Sequence, residues 1–285
     1  MQEPTPLREF RLVNLCRTMF EILISPIKSL LNENGIRRIA ISPPGGMTHL
    51  PFEALFDNTS ANALADSFNI LYLPSIRIGA DLVDSVASNT HGKLLAVAYA
   101  DKDLPHTKRE IESLRQVWKD RMVLLDGERC TKRQVMEELK NNYDYLHFSC
   151  HGSFDVLEPL NSALHLVANP QRDSQRLTAH DILSVKFPSR PIVTMSACST
   201  ALTAATKAND YIGLTGSLLR AGARAIIGSR WPVYDDTAAD FMIRFYEKLY
   251  NANQGPYENF VDVQKEMRKS CNVEDWAAFG YLGLP

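Results

Sequence analysis

From position 36 to position 250 the chain alternates between brief aliphatic runs and longer amphipathic stretches. The runs fall at 36–42, 70–73, 93–99, 122–125, 145–150, 163–167, 192–196 and 225–229, and the stretches include 108–119, 132–139, 211–219 and 236–250. Strands that alternate with helices are joined by crossovers, which places them side by side in a mainly parallel sheet with helices on both faces. The expected fold is α/β, a three-layer sandwich around one central sheet. Ahead of the alternation, Leu12, Leu15, Met19, Leu23, Ile27 and Leu30 recur at helical spacing, and the period predicts one buried face. Ser25-Pro26 divides that stripe into two helices, because proline is tolerated in a first turn but not in a helix interior, and Gly35 closes the second. The expected organisation is an N-terminal helical segment, 1–35, packed on a core domain, 36–285. A weak seam at 88–92 would separate a half at 36–90 from a half at 91–285.

Several functional classes are disfavoured at once. The chain has 285 residues of which 45% are hydrophobic, enough to build a core without disulfides or metal. Its 31 basic and 33 acidic residues leave a net charge of −2 with no basic stripe, so direct nucleic-acid binding is not expected. The longest stretch free of charge and histidine, 191–206, carries six Ser or Thr and is too short and too polar to span a bilayer. Glu3, Arg8 and Glu9 leave no room for a signal peptide in the first ten residues, so a cytoplasmic location is expected. The cysteines at 16, 130, 150, 198 and 271 are odd in number and form no CxxC pair, which argues for free thiols.

In a parallel sheet, reactive groups collect where strands end at their carboxyl edge, because the loops that follow share one crevice. Two strand ends carry reactive side chains: 145–152 ends in Cys150-His151-Gly152, and 192–200 ends in Ser196-Ala197-Cys198. If these strands are neighbours, a thiol and an imidazole open on the same crevice. A thiol is mostly protonated near neutrality, and an adjacent imidazole can take its proton. The N–H groups of Gly152 and Cys198 would then form an oxyanion hole. Cys150 falls on the opposite strand face and reads as a core filler, and His147 reads as a satisfied structural histidine. A zinc site from His147, Cys150, His151 and Cys198 lacks a short ligand pair, so no metal is expected, nor any other cofactor. Gly45-Gly46 is followed by no Lys-Ser or Lys-Thr and reads as a turn.

At this point ordered blocks along the whole chain bear a resemblance. They are SPPGG at 42–46, LPFEAL at 50–55, YLPS at 72–75, Glu110, HFSCHG at 147–152, LTAHDIL at 177–183, MSACST at 195–200, LRAGA at 219–223, WPVYD at 231–235, FY at 245–246 and WAAF at 276–279. Together they resemble the CHAT domain, a caspase-related cysteine protease domain that is also similar to the separase protease core. The resemblance implies a dyad of His151 and Cys198 attacking a peptide carbonyl. It also implies an upstream helical-repeat module or another regulatory partner, a protein substrate and a setting such as defence signalling.

Asp235 matches the aspartate of the family's WPVxD block, and with Asp236 it lies just beyond the run 225–229. A carboxylate there would select a cationic side chain, so cleavage after Arg or Lys is expected, with Ser196 and Trp231 completing the substrate-binding set. Two alternatives stay open at these positions. Asp235 and Asp236 can instead cap the following helix, and Arg230 could line an anion-binding pocket. Two further functions also remain open: a docking domain without proteolysis, and a thiol-dependent acyl transferase.

Overall fold

The computed structural model describes residues 6–59, 62–74, 92–99, 104–155, 157–166, 175–196, 213–251 and 254–285. Its strands are β1 (Arg38–Ile41), β2 (Asn69–Tyr72), β3 (Leu94–Ala98), β4 (Met122–Leu125), β5 (Tyr145–Ser149), β6 (His151–Ser153), β7 (Ala163–His165), β8 (Arg176–Thr178), β9 (Ile192–Met195), β10 (Ala225–Ser229) and β11 (Phe279–Gly283). Eight of them form a central sheet in the order β1-β2-β11-β10-β9-β5-β3-β4. All neighbours are parallel except β10 and β11. The sheet is therefore two parallel blocks, of five and three strands, running in opposite senses across one seam.

The alternation of side chains along the strands sorts the core into two layers. Leu146 and Phe148 of β5, Val193 and Met195 of β9 and Ile226 of β10 face one layer, closed by helices Lys132–Glu138, Ala179–Leu183, Leu214–Ala221 and the N-terminal pair. Tyr145, Ile192, Ala225 and Ile227 face the other, closed by helices Thr107–Trp118, Asp235–Asn251 and Pro256–Arg268. Layers on both faces of one sheet make the three-layer α/β sandwich that the alternation predicts, the caspase-like arrangement that the resemblance implies.

Local chemistry explains several boundaries. Gly222, at φ +113°, ends helix Leu214–Ala221 in the left-handed region, where a residue without a side chain is favoured. Thr178 starts helix Ala179–Leu183 through a reciprocal cap: its hydroxyl accepts from Asp181 N, and its own N–H donates to Asp181 Oδ2. Pro256 opens helix Pro256–Arg268 at a position where a missing N–H costs nothing.

Two expectations are corrected. The run 163–167 does not enter the central sheet; β7 is the middle strand of a separate antiparallel sheet, β6-β7-β8. In the N-terminal helices, Pro6–Leu23 and Ser25–Glu33, the break at Ser25-Pro26 is as expected, and of the expected buried stripe Leu12, Met19 and Leu23 pack half-buried against the core. Cys16, Phe20 and Ile24 are the residues that enter the core, while Leu15, Ile27 and Leu30 face outward. Two stripes of the same period lie side by side on these helices, and only packing against the sheet chooses between them.

Candidate functional site

β5 and β9 are adjacent, parallel and in register from Tyr145↔Ile192 to Phe148↔Met195, and the ladder continues through Ser196 N–H donating to Phe148 O at 2.9 Å. Both strands reach the carboxyl edge at the same level. Beyond β5 the chain bends at Cys150 and enters the small sheet, so His151 is the first residue of β6. Beyond β9, residues 197–200 lie outside the described residues, and the expected nucleophile Cys198 is among them.

The small sheet gives His151 its setting. Its pairing aligns His151 with His165 and His165 with Arg176, one row on one face, all three partly exposed. The next row, Gly152–Leu164–Leu177, turns inward, with Leu164 and Leu177 fully buried. His165 Nε2 lies 2.9 Å from Ser153 Oγ, and burial, followed by the charges of Arg176 and His151, pushes the His165 pKa below its ordinary value. Sequence reading missed both His165 and Arg176, because strands of three residues leave no periodicity to detect.

Beneath the two strand ends lies a buried polar cluster. Glu110, on helix Thr107–Trp118, accepts at Oε2 from Ser149 Oγ at 2.8 Å and from Ser196 Oγ at 3.0 Å. Its Oε1 is 3.1 Å from His147 Nε2, close but off the line of a good hydrogen bond. His147 Nδ1 is 2.7 Å from Thr194 Oγ1, which is in turn 2.7 Å from the Tyr246 hydroxyl. All of these side chains are buried, and the His147 ring is anchored through Nδ1. Ser196, expected to touch substrate, has its hydroxyl committed to Glu110. The sequence signal for Glu110 was a charge on an apolar row, since it shares the i, i+4, i+8 line with Leu114 and Trp118.

The remaining expected residues are arranged around the end of β10. Asp235 is the first residue of helix Asp235–Asn251, is half-buried, and accepts the His106 backbone N–H at Oδ2 across 2.7 Å. Burial raises its pKa, and the His106 bond only partly offsets this. Asp236 is exposed and accepts the N–H of Thr237, a contact within its own helix start. Trp231 Nε1 donates to Glu274 O at 2.9 Å, and its ring lines a cavity of about 350 Å³ with Leu12, Leu15 and His49. Arg230 is turned into the core, where it binds Glu53 and the carbonyls of Ala277 and Phe279 and lies over the Tyr72 ring.

At the carboxyl ends of β3 and β4 lies a cavity of about 430 Å³, lined in part by Tyr99, Thr107, Lys108, Arg115 and Asp126. It adjoins the site through Tyr99, whose N–H donates to Ser149 O at 2.9 Å. Among the described residues no three His, Cys, Asp or Glu side chains gather as metal ligands. Cys150 is fully buried in the core layer, with its thiol pKa pushed up by burial and then by Cys130.

Comparison with known proteins agrees with this fold. The family model described as the CHAT domain matches residues 13–283. The chain belongs to the CHAT domain family. Human tetratricopeptide repeat protein 28 is 22% identical over 329 aligned residues, which cover 94% of this CHAT domain but 13% of the human protein. In fold, the CHAT domain is similar to the separase of the Saccharomyces cerevisiae separase–securin complex, with a TM-score of 0.59 at 18% identity, covering 83% of this chain and 15% of that one. It is also similar to the Arg-specific cysteine proteinase gingipain R of Porphyromonas gingivalis, with a TM-score of 0.60 at 12% identity, covering 100% of this chain and 68% of that one. These structural relatives are caspase-like cysteine proteases. At such identities the likeness is one of fold. No helix among the described residues is long and apolar enough to cross a membrane.

Proposed function

We propose that this CHAT domain is a cysteine endopeptidase with Cys198 as nucleophile and His151 as general base, cutting a protein chain after Arg or Lys. The observation that carries the reading is register. β5 and β9 pair with an offset of 47 positions, and 47 positions also separate His151 from Cys198. His151 and Cys198 each come three positions after the last paired rung, Phe148↔Met195, and α/β folds place their ligands beyond such carboxyl strand ends.

His151 takes the Sγ proton of Cys198, and the thiolate attacks the scissile carbonyl carbon. The N–H groups of Gly152 and Cys198 stabilise the oxyanion. The C–N bond breaks as His151 returns the proton to the departing amine, leaving a thioester. Water then attacks the thioester, gives its proton to His151 and releases the acid and the Cys198 thiol. Asp235 holds the positive charge of the residue before the cut, and its half-buried position strengthens the pairing. Trp231 flanks the substrate, with Asp236 at the rim.

A regulatory partner or an upstream helical-repeat module would gate this activity. Support comes from the outward-facing Phe10, Ile22 and Leu30 on the N-terminal helices, each about 60% exposed, and from a relative that is named for its repeats.

The deciding experiment uses a peptide ending in Arg and carrying an electrophile in place of the scissile bond. Labelling of the wild type, lost in Cys198→Ala and His151→Ala, and matched by new N-termini following Arg or Lys in a substrate digest, is the expected result. Absence of labelling with every candidate activator, alongside retained partner binding, would instead make this a docking domain. Labelling that leads to a new amide rather than a new N-terminus would make it an acyl transferase.

A further inference from the structure

The cluster around Glu110 has a design that the proposed dyad does not use. One oxygen of a buried carboxylate receives the hydroxyl of the last residue of β5 and the hydroxyl of the residue following β9, 2.8 and 3.0 Å away. Ser149 also lies 3.1 Å from Thr107 Oγ1, on the same helix as Glu110. Helix Thr107–Trp118 thus grips both strand ends at the level where the chain departs for positions 151 and 198. Glu110 and Ser149 are each 1% exposed and Ser196 is 7% exposed, so water does not compete for these bonds.

The hydrogen inventory shows what the carboxylate requires. Both serine hydroxyls point their protons at Oε2, which can only accept. At the other oxygen a carboxylate again has only lone pairs to offer, so the proton of a neutral His147 belongs on Nε2, which faces it 3.1 Å away although off the line of a good hydrogen bond. The opposite ring nitrogen then meets Thr194 Oγ1, and Thr194 meets the Tyr246 hydroxyl, a buried chain that runs from helix Asp235–Asn251 through β9 to β5 and stops beside Glu110.

We propose that Glu110 is a positioning residue of this site: by binding Ser149 and Ser196 at a single oxygen, it fixes the exits of β5 and β9 and hence the separation of His151 from Cys198. The proposal rests on the peptidase reading for its effect on turnover, but not for its structural content. A displacement of about 1 Å between reacting groups costs up to about 100-fold in rate, so a clamp at the base of both segments carries catalytic weight without touching substrate.

Because the role is to accept two hydroxyls, glutamine should serve. In Glu110→Gln the amide oxygen takes both serines, and its NH₂ faces His147, whose proton moves from Nε2 to Nδ1. Three measurements test this on the full chain. Turnover should fall about 10- to 100-fold in Glu110→Ala and in the Ser149→Ala/Ser196→Ala double variant with little change in KM, and should stay within about threefold of wild type in Glu110→Gln. Nitrogen NMR of the His147 ring should show the proton on Nε2 in the wild type and on Nδ1 in Glu110→Gln. Hydrogen exchange at the amides of Tyr99 and Ser196, whose bonds close the carboxyl ends of the ladder, should accelerate in the two alanine variants while that of Val193 does not.

Loss in Glu110→Gln as large as in Glu110→Ala overturns the proposal, because charge rather than anchoring would then be the role. Unchanged exchange in both alanine variants overturns it whatever the activity. Should Glu110→Ala fail to fold, the serine double variant still decides. If the wild type shows no peptidase activity under any condition, the peptidase reading fails, and exchange together with the His147 tautomer still judges the clamp.

Discussion

Arg230 and Glu53, 177 positions apart in the chain, meet as an ion pair 2.9 Å long in which neither side chain reaches solvent to any extent. The Tyr72 hydroxyl donates to the other Glu53 oxygen, and Gln264 Nε2 donates to the Phe279 carbonyl beside it. These contacts bridge the seam between the five-strand and three-strand blocks, since Arg230 follows β10 while Phe279 begins β11. Removing one partner strands a buried charge, so Arg230→Met should cost about 3–5 kcal/mol. Replacing both partners by apolar residues of similar size, as in Arg230→Met with Glu53→Met, should recover most of that loss. Urea unfolding of the three proteins checks the order; a single variant as stable as wild type would show that the pair does not hold the seam.

The thiols separate by burial. Burial pushes the Cys16 pKa up to about 11, burial followed by the Asp126 charge pushes Cys130 up to about 12, and Cys150 lies higher still. With iodoacetamide at about pH 7.5 these three should stay unmodified in the native protein, because the thiolate is the reacting form. Cys271, half-buried, should react slowly. Cys198 should react fastest, and peptide mass mapping would read this directly. A rate at Cys198 no greater than at Cys271 would count heavily against its being the nucleophile.

The cap at Thr178 has a pH signature. Burial by itself would raise the Asp181 pKa, but the Lys132 ammonium and the Thr178 hydroxyl and N–H outweigh it and hold the carboxyl below its usual value. A depressed acid stabilises the fold above its unfolded pKa, and that contribution disappears as pH falls through the folded value. Thr178→Ala should therefore cost about 1 kcal/mol near neutrality. The difference from wild type should shrink as pH falls through and below about 4, where the carboxyl protonates. Denaturation midpoints at the two pH values provide the comparison.

At Asp235 the signs run the other way for stability and for activity. Burial raises its pKa, so the charged form is disfavoured in the folded protein, and the associated stability is present below the unfolded pKa and lost as pH rises through the folded one. Asp235→Asn keeps an acceptor for the His106 N–H and should not lower stability at neutral pH. Under the proposed function it removes the charge opposite the substrate's Arg, so kcat/KM for an Arg peptide should drop about 10- to 100-fold. In the wild type, KM for that peptide should rise on acidification at a higher pH than an ordinary aspartate would dictate. An Arg peptide cleaved equally well by both proteins would remove Asp235 from the specificity pocket.

Much of the fold was legible locally. The runs 122–125 and 225–229 coincide with β4 and β10, and helix Thr107–Trp118 lies within a residue of its predicted bounds. The failures share a cause. β11 reads Phe-Gly-Tyr-Leu-Gly, with glycines where a strand signal would need side chains, and it exists because β10 offers an antiparallel partner from Ala225 to Ser229. The run 163–167 looks like any other short strand, and its own composition could not reveal that β6 and β8 would claim it. Along the first helix, Leu15 and Cys16 belong to neighbouring stripes of equal period, and burial of Cys16 became visible only once the sheet was present to pack against.

What the amino-acid order determined by itself was several of the helices and most strands, the reactive types placed after two of those strands, and the motifs that mark the family. Those properties are written over a few consecutive residues, where periods of 2 and 3.6 and the chemistry of a turn act directly. Only the tertiary structure decided that β5 and β9 lie side by side in register, that Arg230 faces Glu53, and that Ser149 and Ser196 share one oxygen of Glu110. Each of these joins groups dozens to hundreds of positions apart, and a buried charge or hydroxyl finds its partner only when the collapse of the whole core excludes water and leaves no other.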